Sequence, residues 1–209
     1  MDKLKKIITL AIAVAALSVC CASAAYITDD NSAVVHPVSL KETITDTNEI
    51  REIAEENGFE NPGKIVSITY SYMDCPVSND TDIDAITARA SKYTLKNIKT
   101  REMTGRTIHS SIYDYPGGTM VVSESVAATY STSVSVGTDV LKSQLGFDVT
   151  KSYTLSDQQT VKVPQGKRYK CRAYSNLRVY DFDIYLGTVK KGTGSATQPI
   201  GVVFVVYEV

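Results

Sequence analysis

Residues Met120–Val136 read MVVSESVAATYSTSVSV, and this stretch decides the fold. The even positions Met120, Val122, Val126, Ala128, Val134 and Val136 are apolar, interrupted by Glu124, Tyr130 and Thr132. The odd positions are dominated by Ser123, Ser125, Thr129, Ser131, Ser133 and Ser135. Side chains of a β-strand alternate between faces, so a period of two predicts a strand with one packed face and one face of hydroxyls. The alternation resumes after a connection at 137–144, with Leu145, Phe147, Val149, Tyr153, Leu155, Val161 and Val163 on one face. At about 3.3 Å per residue, each run reaches roughly 55 to 60 Å if it stays straight, well beyond the usual strand.

Outward from this block the pattern stays mainly β. Pro164–Lys167 predicts a turn, and Arg168–Leu186 a further strand. A glycine-rich loop is expected over Gly187–Thr197, ahead of the nearly unbroken apolar run Ile200–Val209, which predicts a central strand buried on both faces. On the other side, Tyr115-Pro116-Gly117-Gly118 marks a firm break, and 91–112 predicts two strands around a turn at Thr104-Gly105. Lys64–Met73 reads as a strand, followed by a polar loop at 75–80 and a short helix from Asp82 to Ala90. Asp46 is expected to cap a helix whose stripe is Ile50, Ile53 and Ala54 and whose stop is Asn57-Gly58. The expected fold is an elongated antiparallel sheet or sandwich of long strands with one or two short N-terminal helices.

The chain opens with Lys3, Lys5 and Lys6, an apolar stretch Ile7–Leu17, and Ala22-Ser23-Ala24. That order of zones is a secretory signal, with cleavage expected after Ala24. The alternative is lipid attachment at Cys20, although Val19 stands where the lipoprotein pattern has a small residue. Residues 25–209 then form one β-rich mature domain, of which 25–45 is a flexible leader that docks an edge strand near Ala33–Leu40, and 119–186 holds the long serine- and threonine-rich strands. Of the 22 basic and 23 acidic side chains, Lys3, Lys5, Lys6 and Asp2 fall in the signal, leaving about three net negative charges. No basic field is present to attract nucleic acid.

Residues associated with chemistry are sparse. His36 and His109 are the two histidines, far apart and without metal-ligand spacing. His109 adjoins Ser110 and Ser111, but neighbours on a strand point to opposite faces, which predicts an ordinary strand residue. Asp80, Asp82 and Asp84 follow the opening of a calcium loop, yet Ala85 replaces its glycine and Ser91 its glutamate, so Thr81 with Asp84 reads better as a helix cap. Asp181 and Asp183 share one strand face and form the carboxylate pair a glycoside hydrolase would need. Cys75 and Cys171 remain after the signal, either as a disulfide or as two buried thiols. The thirteen tyrosines, spread along many strands, fit ordinary β packing better than a sugar platform. No catalytic, cofactor or metal residues are expected.

Ser123–Val136, the return strand 147–156 and the turn Val161-Lys162-Val163-Pro164-Gln165-Gly166-Lys167 resemble the long hairpin region of aerolysin-type β-pore-forming toxins. That resemblance implies membrane contact through residues 120–163, an apolar face toward lipid and a hydroxyl face toward a lumen, with oligomerisation. Glu124 and Lys151 lie on the faces that would meet lipid. The serine-rich stretch and the ending Pro199-Ile200-Gly201-Val202-Val203-Phe204 also resemble uncharacterised secreted proteins of Gram-positive gut bacteria. The function expected is that of a secreted, non-enzymatic β-protein acting through its surface on a protein or cell-envelope partner. The alternatives are a pore-former and an extracellular hydrolase.

Overall fold

The apolar C-terminal run forms the centre of the sheet. In the computed structural model, which describes residues 40–73 and 93–209, β7 (Arg168–Leu186) and β8 (Val189–Glu208) make one long antiparallel hairpin. It closes at Gly187, whose φ of 61° suits a residue without a Cβ. The other strands are β1 (Leu40–Ile44), β2 (Ile65–Tyr72), β3 (Tyr93–Asp114), β4 (Gly117–Ala127), β5 (Thr129–Thr132) and β6 (Ser152–Lys162). The main sheet runs β1-β2-β8-β7-β3, and β5 pairs with β8 beyond the end of β2. Strands β4 and β6 form a separate two-stranded sheet, and every pairing is antiparallel. All described residues fall in one compact unit.

Alternate residues of β8 fill opposite faces, as expected for a strand buried on both sides. Val202, Phe204 and Val206 join Cys171 and Ala173 of β7 beneath Met120, Val122 and Leu155 of the β4–β6 layer. Val203, Val205 and Tyr207 pack against α1 (Thr47–Asn57) through Ile50 and Ala54. As the sequence predicts, Asp46 caps α1, accepting from Asn48 N and Glu49 N at 3.0 Å each, and Gly58 ends it at φ 67°. A third cluster joins Leu95, Phe182, Ile184 and Ala196 to α2 (Thr138–Leu145) and to Phe147 and Val149.

The antiparallel β architecture is as predicted, with long strands, and four local expectations are corrected. Residues 91–112 hold no hairpin turn, because Tyr93–Asp114 is one strand and Gly105 lies at a bulge. A Cβ there would come within 2.4 Å of Ser175 Oγ, so the glycine allows close approach rather than reversal. Gly192 and Gly194 likewise sit inside β8, where a Cβ would meet Ser133 Oγ at 2.2 Å and the Phe182 ring at 2.4 Å. The first long run breaks at Ala128, leaving β4 in one sheet and β5 in the other. The second does not start at Leu145: α2 ends at Gly146 with φ 79°, Thr150 N and Oγ1 donate to Asp148 Oδ1, and β6 begins at Ser152. Helix α2 therefore stands in the middle of the chain, where the sequence reading expected a connection and a strand. The edge strand expected near Ala33–Leu40 is found at Leu40–Ile44, where it pairs with β2. The signal with Ala24 and Cys20, the rest of the leader, His36, Cys75, the Asp80–Asp84 cluster and the predicted helix 82–90 lie outside the described residues.

One ion pair ties β1 to the β4–β6 layer. Asp157 points from β6 toward the packed face, with 8% of its side chain exposed, and its Oδ1 lies 2.9 Å from Lys41 Nζ of β1. Its other oxygen has no hydrogen-bond partner. Removing one member of a buried pair strands the other charge, whereas replacing both by apolar groups does not. Lys41→Met is expected to lower stability by about 1–2 kcal/mol, between the values for exposed and for fully buried pairs because Lys41 keeps 34% of its side chain in water. Urea denaturation should show Asp157→Leu restoring much of that stability when added to Lys41→Met. Burial also pushes the Cys171 thiol up to about 12 from 9.0, and burial followed by the charge of Glu102 pushes Tyr70 up to about 12 from 10.0. Between about pH 9 and 12 the unfolded chain releases these protons while the native chain keeps them, so stability falls as pH rises. Thermal melts should show this decline, with a smaller one in Cys171→Val.

Candidate functional site

A recess of about 920 Å³ lies over four strands, β5, β8, β7 and β3. Register builds it. Ser131 faces Ser195, Ser195 faces Asp181 and Asp181 faces Lys99, so four strands each contribute one polar side chain to a single row. Two residues along, Thr193 faces Asp183. Ser133 extends this second row beyond β5: its N and Oγ donate to Thr193 O at 2.9 and 3.0 Å, and its Oγ accepts from Thr193 N at 2.8 Å. Alternation over Asp181–Ile184 sends Phe182 and Ile184 into the core and leaves Asp181 and Asp183 on the other face.

The bulge between Lys96 and Lys99 completes the wall. Asn97 takes a left-handed conformation there, with φ 54°, and its Nδ2 donates to Asp183 Oδ2 at 2.8 Å. Asp183 Oδ1 is 2.6 Å from Lys190 Nζ, and these two hydrogen bonds, that to Lys190 first, hold the carboxyl below its ordinary value. Asp181 Oδ2 is 3.6 Å from Arg101 Nε. The sequence-derived pair is thus brought into one recess, and each carboxylate is already countered by a cation. A glycosidic general acid needs a raised pKa, and Asp183 moves the other way.

Other candidate residues are dispersed. His109 is exposed on β3, and the serine it meets is Ser111, two positions on, with Oγ 3.4 Å from Nε2. No carboxylate holds its imidazole among the described residues. Glu124 pairs with Arg106 at 3.3 Å, and Lys151 lies 3.8 Å from Asp148 Oδ2. Cys171 is a buried free thiol. Tyr70 and Tyr72 stack on one strand, while Tyr174 and Tyr207 meet through their hydroxyls, so the tyrosines serve several separate contacts. Among the described residues no group of three His, Cys, Asp or Glu side chains is placed to hold a metal ion. Sequence reasoning missed Asn97, Lys99, Ser131, Ser133, Thr193 and Ser195 as site residues. The available signal was the hydroxyl alternation continuing into Gly192-Thr193-Gly194-Ser195, which the loop reading set aside.

No protein-family model and no curated protein matches the chain. Among solved structures, a beta-pore-forming protein from Brevibacillus laterosporus is similar at 14% identity, covering 78% of this chain and 85% of that one, with a TM-score of 0.18.

Proposed function

We propose that the protein is an exported, non-enzymatic β-protein that acts by surface contact with a protein or envelope partner, using the recess above Asp181 and Asp183. The observation that carries this reading is the open four-strand polar face, built on a rigid sheet and carrying carboxylates already neutralised by Lys190 and Arg101. Fixed, paired polar groups suit recognition better than proton transfer. The signal pattern of residues 1–24 supports export.

A second reading, membrane insertion of residues 120–163, draws on a specific feature. Among the described residues the β4–β6 sheet pairs only with itself along its ladder, and it meets the main sheet through side chains. Against it, the face that would meet lipid is occupied: Met120, Val122, Leu155 and Val161 are each at most 3% exposed. Exposing that face would forfeit roughly 25 cal/mol for every Å² of apolar surface uncovered.

Dye release from liposomes by the purified protein, with sedimentation of the lipid-bound fraction, separates the two. No release with the protein monomeric is the expected result. Release accompanied by oligomers on the lipid overturns the surface-contact reading in favour of insertion.

A further inference from the structure

The recess has features that select its ligand. Strands lie about 4.8 Å apart, so Ser131, Ser195, Asp181 and Lys99 form a line of evenly spaced hydrogen-bonding groups across the sheet. A second line through Ser133, Thr193 and Asp183 runs parallel to it, about 7 Å away, two residues along each strand. The hydroxyls of Ser131, Ser195 and Thr193 both donate and accept, the carboxylates accept, and Lys99 and the Asn97 amide donate, so both polarities are present along the lines, while the Ser133 hydroxyl is already held by the Thr193 backbone.

Charge narrows the class. Lys190 and Arg101 already counter the two carboxylates, so a cationic ligand would have to displace one of them, and Lys99 leaves a single ammonium in the first row. A neutral ligand displaces neither. Ile98, 41% exposed, lies on the same wall and offers an apolar contact between polar groups. The left-handed backbone of Asn97, a conformation asparagine tolerates, sets its amide against Asp183 before any ligand arrives. The volume lies within the roughly 300–1,000 Å³ typical of small-ligand sites.

We propose that this recess binds a neutral, polyhydroxylated chain, an oligosaccharide lying across strands β5, β8, β7 and β3 with successive rings against successive strands. The proposal rests on the surface-contact reading and names its ligand class. Alternating ring hydroxyls and C–H faces match alternating polar groups and the Ile98 contact, and a sheet holds the rows at fixed spacing without ordering a loop.

The test is titration of the full-length protein with neutral hexasaccharides of glucose, mannose and N-acetylglucosamine, followed by calorimetry, beside heparin as an anionic probe. Binding of at least one neutral hexasaccharide is expected. Asp183→Asn should weaken it about tenfold and Ser195→Val about threefold, as expected for hydrogen bonds with charged and neutral partners respectively, while Asp114→Asn, outside the recess, leaves it unchanged. Ser131→Ala, an exposed change at the end of the row, serves where Ser195→Val does not fold. The proposal is overturned if no neutral hexasaccharide binds, if heparin alone binds, or if the recess variants bind as the wild type does. That failure is separate from failure of the surface-contact reading, which the liposome experiment decides on its own.

Discussion

The ladder between β7 and β8 is the constraint on which the rest of the fold depends. It runs from Tyr169 opposite Glu208 to Leu186 opposite Val189 and supplies the two central strands of the main sheet. Because β8 has no wet face near its end, side chains from Val202 to Tyr207 commit both sheet surfaces to burial at once. One surface needs the β4–β6 layer and the other needs α1. The outer edge of β8 is then shared lengthwise by β2 and β5, and glycines make this sharing possible. A Cβ on Gly201 would fall 2.0 Å from the Ser71 carbonyl oxygen, and one on Gly194 would meet Phe182 and Thr132. Pro199, which cannot donate to a ladder, sits where the register shifts beside Leu177.

Strand β3 has a different task. It spans 22 residues against the 19 of β7, and three bulges on β3 take up the difference. Bulges bend and twist an exposed edge, and Lys96, Lys99, Arg101 and Arg106 charge it, both of which discourage pairing with another chain. The bulge at Lys96–Lys99 also turns Asn97 toward Asp183, so one irregularity both protects the edge and furnishes the recess.

Several elements were legible because their signals were local. The strand Arg168–Leu186 appears over the predicted residues, and the Asp46 cap, the Ile50–Ala54 stripe and the Gly58 stop are where the sequence puts them. The turn predicted at Pro164–Lys167 closes with Lys167 N donating to Pro164 O, and Gly166 takes φ 79°. What was not legible depends on partners distant in sequence. A glycine in a β-rich segment marks either a reversal or a close approach, and only the neighbouring strand decides which. Gly105 faces Ser175 and Gly192 faces Ser133, contacts that no window around either glycine contains. Period two, likewise, fixes which side chains share a face, but not which sheet that face belongs to. Met120–Val126 and Thr129–Thr132 continue one alternation and yet enter two sheets, since Ala128 N donates to Lys151 O between them.

The same distinction explains why the carboxylate pair was visible and its role was not. Two aspartates two residues apart on a strand must share a face, so Asp181 and Asp183 could be paired from sequence alone. Their chemistry depends on what crosses from other strands. Lys190 arrives by the turn of the hairpin and Asn97 from the edge strand, and together they hold the Asp183 carboxyl below its ordinary value, while Arg101 of the same edge strand lies 3.6 Å from Asp181. A carboxyl proton donor requires surroundings that penalise the anion, through burial or a like charge. At Asp183 the surroundings favour it, and the hydroxyls of Ser195, Thr193 and Ser131 extend the polar surface across the strands. A row of polar groups held at strand spacing on an open sheet discriminates by position, and that is the physical basis for reading the site as one of contact.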